Sequence, residues 1–365
     1  MHLYKLNTNI KIKDNFIIEN FINPDFIYIP YYANIKLDNI FINTKINNYK
    51  SSISGKIIDI KKGIFNEKYQ NVFVIANDFK EKENKKEPKT KVNIDNIKKV
   101  LKENNEIKLL NRFTNLDKLD NIVISAINDE INVFNNVYLL KENTRDLLDL
   151  IDDLRINTKC KNNYLVIKND ESYIIDECLN LFGTYPLITL TLVEDLYLLG
   201  KKEFLLDKLN INGNTLYLTI EELDTINRYL KGLDTTTKLI TISDNKTCKV
   251  IRAKKYTLIS DLIKYAYKDL KYNHIIINGL MTGYEITDSN NYILDDEIKS
   301  IHLLQKIPKQ NNECINCGLC LKVCPKKVDM INSKNLDKCI DCGLCSFMCP
   351  NLVNLRAKIK DDKNE

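Results

Sequence analysis

Eight of the eleven cysteines of this 365-residue chain fall in one short segment near its carboxyl end. They form the pattern Cys-x2-Cys-x2-Cys-x3-Cys-Pro twice, first with Cys314, Cys317, Cys320 and Cys324, then with Cys339, Cys342, Cys345 and Cys349. In this pattern, three closely spaced thiolates hold one iron–sulfur cubane and the fourth ligates the other cluster. The sequence therefore predicts two [4Fe–4S] clusters. Cluster one takes Cys314, Cys317, Cys320 and Cys349, and cluster two takes Cys339, Cys342, Cys345 and Cys324.

The residues between the cysteines also suit an iron–sulfur site. Gly318 and Gly343 have no Cβ, so the backbone can lie close to the inorganic core. Pro325 and Pro350 direct the chain away after the last ligand of each copy. The alternative is a pair of structural zinc sites, because Cys-x2-Cys pairs also bind zinc. Zinc needs neither the third cysteine nor the Cys-Pro ending, so the spacing favours iron–sulfur clusters.

Composition narrows the class of protein. The chain is 28% charged and 44% hydrophobic, with a mean hydropathy of −0.29, as expected of a soluble protein. We expect no transmembrane span, because no run of 18 apolar residues occurs, and no secretory signal at the N-terminus. The charged residues that give the net charge of +5 are interspersed along the chain, so we expect no nucleic-acid partner.

Only ten glycines are present, and no glycine-rich phosphate loop is found. Clustered thiols indicate a reducing compartment.

The patterns of hydrophobic residues predict a multidomain chain of α/β and α+β class. Short β-branched runs separated by Asn, Pro and Gly predict an N-terminal β region. Helices and strands alternate over 93–205, which predicts an α/β layer with a mostly parallel sheet. A strand–strand–helix–strand order predicts a small α+β unit near residue 240. The predicted divisions are a β domain (1–79), a charged linker (80–92), an α/β domain (93–234), an α+β unit (235–304) and a two-cluster domain (305–365).

Individual elements follow from the same patterns. The predicted strands cover 26–30, 33–37, 54–60, 71–76, 121–127, 164–168, 187–192, 238–243, 247–252 and 274–277. The predicted helices cover 94–104, 144–156, 171–182 and 258–269, and 214–232 reads as a strand followed by a helix. Thr144 is the expected N-cap of its helix, and Asp244 with Asn245 is the expected turn between two strands.

Three features together resemble the C subunit of the Rnf electron-transport complex. The first is the cysteine segment and its position after the other units. IYIPYYANIK (27–36) with KSSISGKIIDI (50–60) resembles that family's N-terminal barrel-sandwich hybrid domain. TTTKLITISDNKTCKVIRAKKYTLISDLIK (235–264) with INGLMTGYEI (277–286) resembles its soluble-ligand-binding β-grasp domain. The resemblance implies that residues 93–234 are similar to the flavoprotein subunit of respiratory complex I, and that 305–365 form a ferredoxin-like dicluster domain.

The resemblance also implies a function. The chain would relay electrons between ferredoxin and NAD-linked partners, within a membrane-associated, ion-translocating complex. Its partners would be integral-membrane and ferredoxin-like subunits, and ferredoxin itself. It would lie peripherally on the cytoplasmic face of the plasma membrane. Two alternatives stay open: a soluble iron–sulfur partner similar to cobalamin reductase, which serves a cytosolic enzyme, and a zinc-holding structural module.

One departure from the family concerns its flavin and NADH site. The family carries a loop of G-x-G-G-A-G-F-P-T type and then an E-C-E-P stretch, whereas residues 102–119 lack glycine and residues 123–142 lack the acidic motif. Backbone N–H groups approach a pyrophosphate poorly where every residue has a side chain. We therefore expect neither FMN nor NADH to bind, and we expect this domain to act as a docking scaffold without its own catalytic centre. Asp129 and Glu130 are interpreted as a solvated turn.

The remaining candidate residues form no spaced set: Cys160, Cys178, Cys248, His2, His274 and His302. We interpret the three cysteines as buried structural thiols and propose no metal or catalytic role for the histidines. Lys50 and Lys56 flank the SISGK turn, which we interpret as plain turn chemistry, not a biotin- or lipoate-carrying hairpin. Three lysines beside the motif are interpreted as a solvated face, although such charges can steer an acidic partner: Lys322, Lys326 and Lys327.

Overall fold

The computed structural model describes residues 16–31, 39–82, 91–114, 116, 118–233, 235–244, 246–308 and 313–364. The strand predicted over 33–37, most of the charged linker and Asn245 of the predicted turn lie outside the described residues. Within them, no helix is long and apolar enough to cross a membrane.

The strands are β1 (Phe16–Ile22), β2 (Phe26–Pro30), β3 (Lys45–Ile46), β4 (Tyr49–Lys50), β5 (Gly55–Phe65), β6 (Lys68–Asn77), β7 (Asn121–Ser125), β8 (Asn162–Lys168), β9 (Thr189–Val193), β10 (Thr215–Thr219), β11 (Thr237–Ser243), β12 (Cys248–Lys254), β13 (His274–Ile277), β14 (Tyr284–Ile286) and β15 (Ser300–Leu304). The helices are α1 (Ile94–Glu103), α2 (Ile107–Leu110), α3 (Asn135–Glu142), α4 (Thr144–Thr158), α5 (Ser172–Phe182), α6 (Lys202–Lys208), α7 (Ile220–Leu230), α8 (Ile259–Ala266), α9 (Leu319–Val323), α10 (Leu344–Phe347) and α11 (Leu355–Asn364).

A three-stranded antiparallel sheet in the order β2-β6-β5 forms the centre of the N-terminal region. The β5–β6 hairpin turns at Asn66 and Glu67, both with positive φ, as a two-residue hairpin loop requires. Gly55 is the first residue of β5, and a Cβ added to it would lie 1.8 Å from the Ala76 carbonyl oxygen. The preceding serines are buried, and Ser52 Oγ donates to the Lys255 carbonyl (2.7 Å). The SISGK segment is therefore a packed turn that ties this region to the later α+β unit.

The α+β unit is built on a six-stranded sheet with the order β1-β12-β11-β15-β13-β14. Helix α8 buries its apolar face against the sheet, with Ile259, Leu262 and Ile263 in the core. Strand β1, which the sequence division placed with residues 1–79, pairs in parallel with β12. The N-terminal segment thus completes a sheet whose other strands lie more than 200 residues further along the chain.

The central α/β layer contains a four-stranded, wholly parallel sheet with the order β10-β7-β8-β9. This agrees with the parallel sheet expected from the alternating pattern. Helix α7 begins at a capping box, in which the Thr219 side chain accepts from the Glu222 N–H and Glu222 accepts from the Thr219 N–H. The prediction that Thr144 caps α4 is wrong. Asn143 precedes the helix, and Thr144 donates from Oγ1 back to the Leu140 carbonyl of α3 (2.7 Å).

A buried histidine makes the stability of the fold depend on pH. His302 on β15 is fully buried, with Nδ1 2.7 Å from Ser243 Oγ and Nε2 3.0 Å from Ser300 Oγ. Burial lowers the pKa of His302 to about 4. The unfolded chain takes up this proton below the ordinary pKa of about 6.5, whereas the folded chain does not, so acid favours unfolding.

We expect the contribution of neutral His302 to the free energy of unfolding to be complete above pH ~6.5. It should fall by about 3 kcal/mol as the pH drops to ~4. Urea unfolding followed by circular dichroism across this pH window measures it. His302→Gln should show a shallower dependence of the free energy of unfolding on pH than the unsubstituted chain. Parallel pH profiles for the two proteins would contradict the assignment.

Candidate metal centre

The two copies of the cysteine motif adopt the same backbone conformation. Gly318 and Gly343 precede α9 and α10 with φ values of 71° and 76°, in the left-handed region that favours glycine. Asn316 and Asp341, two residues earlier in each copy, have φ values of 52° and 53°. The sequence repeat is therefore a structural repeat, with each helix starting at the same point of its motif.

Backbone N–H groups point at several of the cysteine sulfurs. The N–H of Asn316 donates to Cys314 Sγ and that of Asp341 to Cys339 Sγ, each at 3.4 Å. The N–H of Val328 donates to Cys324 Sγ at 3.3 Å. Such bonds stabilise thiolates and are one of the features that set the reduction potential of an iron–sulfur cluster.

A single cavity brings together cysteines from both copies. Its walls include Cys339, Cys342 and Cys345 of the second copy and Cys324 of the first. The rest of the wall is mainly apolar, with Val328, Met330, Ile340, Leu344 and Ile359, and it also includes Gly343, Lys326, Asp341 and Arg356. The lining thus includes the four cysteines that the sequence assigned to cluster two.

The other four cysteines lie nearer the surface. Cys314 and Cys317 are exposed, Cys320 is buried and Cys349 is partly buried. Cys349 of the second copy packs against the apolar group that contains Cys320 of the first copy. Cys345 of the second copy and Met330 pack against the same group.

The chemistry of this donor set fits iron–sulfur clusters. All eight side chains are thiols, the soft ligands that such clusters use. Burial raises the pKa of Cys320 and Cys342, and that of Cys345 to about 12. These thiols would ionise only on binding a metal centre, which compensates the charge. Among the described residues, no three His, Cys, Asp or Glu side chains converge closely enough to chelate a single metal ion.

Two residues near the site differ from their sequence interpretation. Lys326 does not lie on a freely solvated face, since Nζ pairs with Glu203 Oε2 at 2.5 Å and lies 5.3 Å above the Phe204 ring. Glu130 is not in a solvated turn. It is half-buried and accepts hydrogen bonds from the Met281 N–H (3.2 Å) and the Thr282 hydroxyl. Both contacts join distant parts of the chain, which sequence spacing alone does not reveal.

The described cysteines outside the motif agree with the sequence interpretation. Cys160, Cys178 and Cys248 are all buried, and burial raises the pKa of each thiol. His274 is paired with Glu285, with Nδ1 2.7 Å from Oε1. His2 lies outside the described residues.

The position where a flavin or dinucleotide would bind lies at the carboxyl ends of β7 and β10, where the strand order reverses. Here the chain's own polar groups are already paired. Asn136 accepts from the Glu221 N–H of α7 (3.0 Å) and donates to the Ile127 carbonyl (3.3 Å). Arg112 donates to the Tyr217 carbonyl (3.3 Å) and pairs with Glu222 (2.8 Å).

Part of the segment 102–119, where the resemblance would place a glycine-rich loop, is helical. Residues 107–113 form α2 and a 3-10 turn, and Leu109 and Phe113 are buried in the core. A phosphate at a helix N-terminus needs free N–H groups and little negative charge. At α7 the first turn carries Glu221 and Glu222 instead. The described residues at this edge therefore do not fit FMN or NADH in the family's manner.

Comparison with known proteins identifies the C-terminal part of the chain. A family model described as a 4Fe-4S dicluster domain matches residues 276–361. No curated protein matches the sequence significantly. Two solved structures of NAD+-reducing [NiFe]-hydrogenase, air-oxidised and H2-reduced, are similar at 10% and 12% identity over 58% of this chain, with TM-scores of 0.46 and 0.48.

The chain spans just under half the length of those hydrogenase chains, 46% and 47%. The dicluster match over residues 276–361 covers all eight cysteines of the motif. The protein is a mixed α/β, multidomain chain with a match to a 4Fe-4S dicluster domain over residues 276–361, and this match supports a function in iron–sulfur electron transfer.

Proposed function

We propose that the chain relays single electrons through two [4Fe–4S] clusters as a subunit of an Rnf-like, membrane-associated complex. The observation that carries the proposal is the cavity lined by Cys324 together with Cys339, Cys342 and Cys345. The dicluster match over 276–361 supports two clusters. The crossed ligand sets, each borrowing one cysteine from the other copy, place the clusters close together.

The chain's own residues would hold and tune the clusters. A bound [4Fe–4S] cluster accepts and returns one electron. The N–H groups of Asn316, Val328 and Asp341 donate to ligand sulfurs, and apolar walls exclude water from the cavity. The hydrogen bonds to sulfur stabilise the reduced, more negative cluster, and the apolar walls change the dielectric surroundings. Both features therefore adjust the reduction potential of the cluster.

The remaining parts of the proposal come from the resemblance of the other regions. The N-terminal sheet would correspond to a barrel-sandwich hybrid domain and the six-stranded sheet to a β-grasp domain. The chain would lie on the cytoplasmic face of the plasma membrane, bound to integral-membrane and ferredoxin-like subunits, and would exchange electrons with ferredoxin. Any flavin step towards NAD would be supplied by another chain, because the groups at the ends of β7 and β10 are already paired.

Iron, acid-labile sulfide, zinc and flavin measured on one anaerobic preparation test the proposal. We expect about eight iron and about eight sulfide per chain, and visible absorption that dithionite bleaches. We expect no stoichiometric FMN in an acid extract and no bleaching by NADH. A colourless protein with about two zinc ions would overturn the redox function. FMN near one per chain would overturn only the lost flavin site, and recovery solely in the soluble fraction would favour the soluble reductase partner.

A further inference from the structure

The two copies of the cysteine motif have the same backbone but different surroundings. At Gly318 of the first copy, an added Cβ would meet no atom within 4 Å. At Gly343 of the second copy, it would lie 2.3 Å from the Met281 carbonyl oxygen. Cys317 is exposed, whereas its counterpart Cys342 is buried. The Cys342–Gly343 turn of the second copy is therefore packed against the loop at Met281, whereas the equivalent turn of the first copy is exposed, although Val323 and Lys326 of the first copy also contact the body of the protein.

A tyrosine of the α/β domain holds the backbone of that second copy. The Tyr197 hydroxyl donates to the Cys342 carbonyl at 2.7 Å, and both groups are buried. Tyr197 belongs to an apolar cluster that includes Phe204, Met281 and Leu344. The hydroxyl therefore lies in an apolar environment, where a hydrogen bond is electrostatically stronger than it is in water.

Arg356 and the loop 279–283 complete the contact. Two nitrogens of the Arg356 guanidinium donate to the Asp341 carboxylate: Nε to Oδ1, and Nη2 to Oδ2 at 2.8 Å. The third nitrogen, Nη1, donates to the Gly283 carbonyl at 3.2 Å. Glu130 holds the same loop from its other side through the Met281 N–H and Thr282. The corresponding residue of the first copy, Asn316, is exposed.

We infer that Tyr197 is a positioning residue for cluster two, acting with Arg356 and the 279–283 loop to fix the segment Asp341–Gly343 against the body of the protein. The inference rests on the proposed function, since it concerns a cluster that the four thiols of the cavity would hold. The Tyr197 hydroxyl hydrogen carries partial positive charge towards the ligand segment. Such a dipole favours the reduced, more negative cluster, so it raises the potential of cluster two relative to its value without the hydroxyl.

The test compares three variants of the full chain purified without oxygen: Tyr197→Phe, Gly343→Ala and Gly318→Ala. The two alanine variants are matched, because both glycines have the same positive φ and the same strain on substitution. They differ in what the added Cβ meets: the Met281 carbonyl oxygen at Gly343, and no atom within 4 Å at Gly318. Redox titration followed by EPR separates the clusters, and iron release to a chelator measures how firmly each is held.

For Tyr197→Phe we expect both clusters to be present, cluster two to have a more negative potential, and half of the iron to be released about fivefold faster. That factor corresponds to the loss of one ordinary hydrogen bond. Gly343→Ala should lose cluster two selectively, and Gly318→Ala should retain both. If Gly343→Ala does not fold, Tyr197→Phe decides alone.

Two results would overturn the inference while leaving the proposed function intact: unchanged potentials in Tyr197→Phe, or equal iron content and release in the two alanine variants. Absence of clusters from the unsubstituted chain would instead reject the proposed function.

Discussion

Replacing Cys349 with serine should remove cluster one, which is built on the first copy of the motif, although Cys349 belongs to the second copy. Cys349 packs against the apolar group that contains Cys320, and Cys324 lines the cavity with Cys339 and two more cysteines of the second copy. Loss of one thiolate ligand should lower the iron content from about eight to about four per chain. Iron analysis with EPR of the reduced variant measures both the loss and the identity of the remaining cluster.

Cys324→Ser is the matched variant, and it should lose cluster two instead. Cys160→Ala is the control, because this buried thiol lies outside the motif and its removal should leave the iron content unchanged. If Cys349→Ser lost the cluster of Cys339 and Cys345, each cluster would take its ligands from within one copy. The crossed assignment would then be wrong, although the chain would still hold two clusters.

The parts of this molecule that could be predicted from sequence are those governed by local spacing. Each copy of the cysteine motif has a glycine at the same position, and both Gly318 and Gly343 have positive φ at the start of a short helix. Alternating helices and strands predicted a parallel sheet, which β7 to β10 form. In each case the signal lies within a few residues of the element that it specifies.

What sequence reasoning missed depends on contacts between distant segments. Strand β1 pairs with β12, and a short strand-like run does not reveal a partner more than 200 residues away. The sequence predicts a solvated turn at Asp129 and Glu130, but Met281 and Thr282, about 150 residues further along the chain, donate hydrogen bonds to Glu130. No sequence motif includes Tyr197. Its role becomes visible only when the α/β domain and the second cysteine copy are seen in contact.

A second large effect, on the free energy of unfolding, is expected from substitution in the buried segment 107–113. Phe113 is fully buried among core residues of the α/β domain, in the 3-10 turn that follows α2. Phe113→Ala should lower the free energy of unfolding by about 3–5 kcal/mol, because it removes the ring and leaves a cavity. Arg112→Ala, at the adjacent residue, removes a partly exposed ion pair with Glu222 and a hydrogen bond to the Tyr217 carbonyl, and should cost only about 1–2 kcal/mol.

Urea unfolding followed by circular dichroism compares the two variants, and hydrogen exchange at β7 and β10 assigns the loss to the α/β domain. The comparison distinguishes a segment that forms part of the core from a loop kept open for a ligand. A loop that only cradles phosphate has few buried contacts, so removing one of its side chains would cost little. A cost for Phe113→Ala as small as that for Arg112→Ala would therefore contradict the closed site. A large cost for Phe113→Ala alone would support a segment that is packed into the core of the α/β domain.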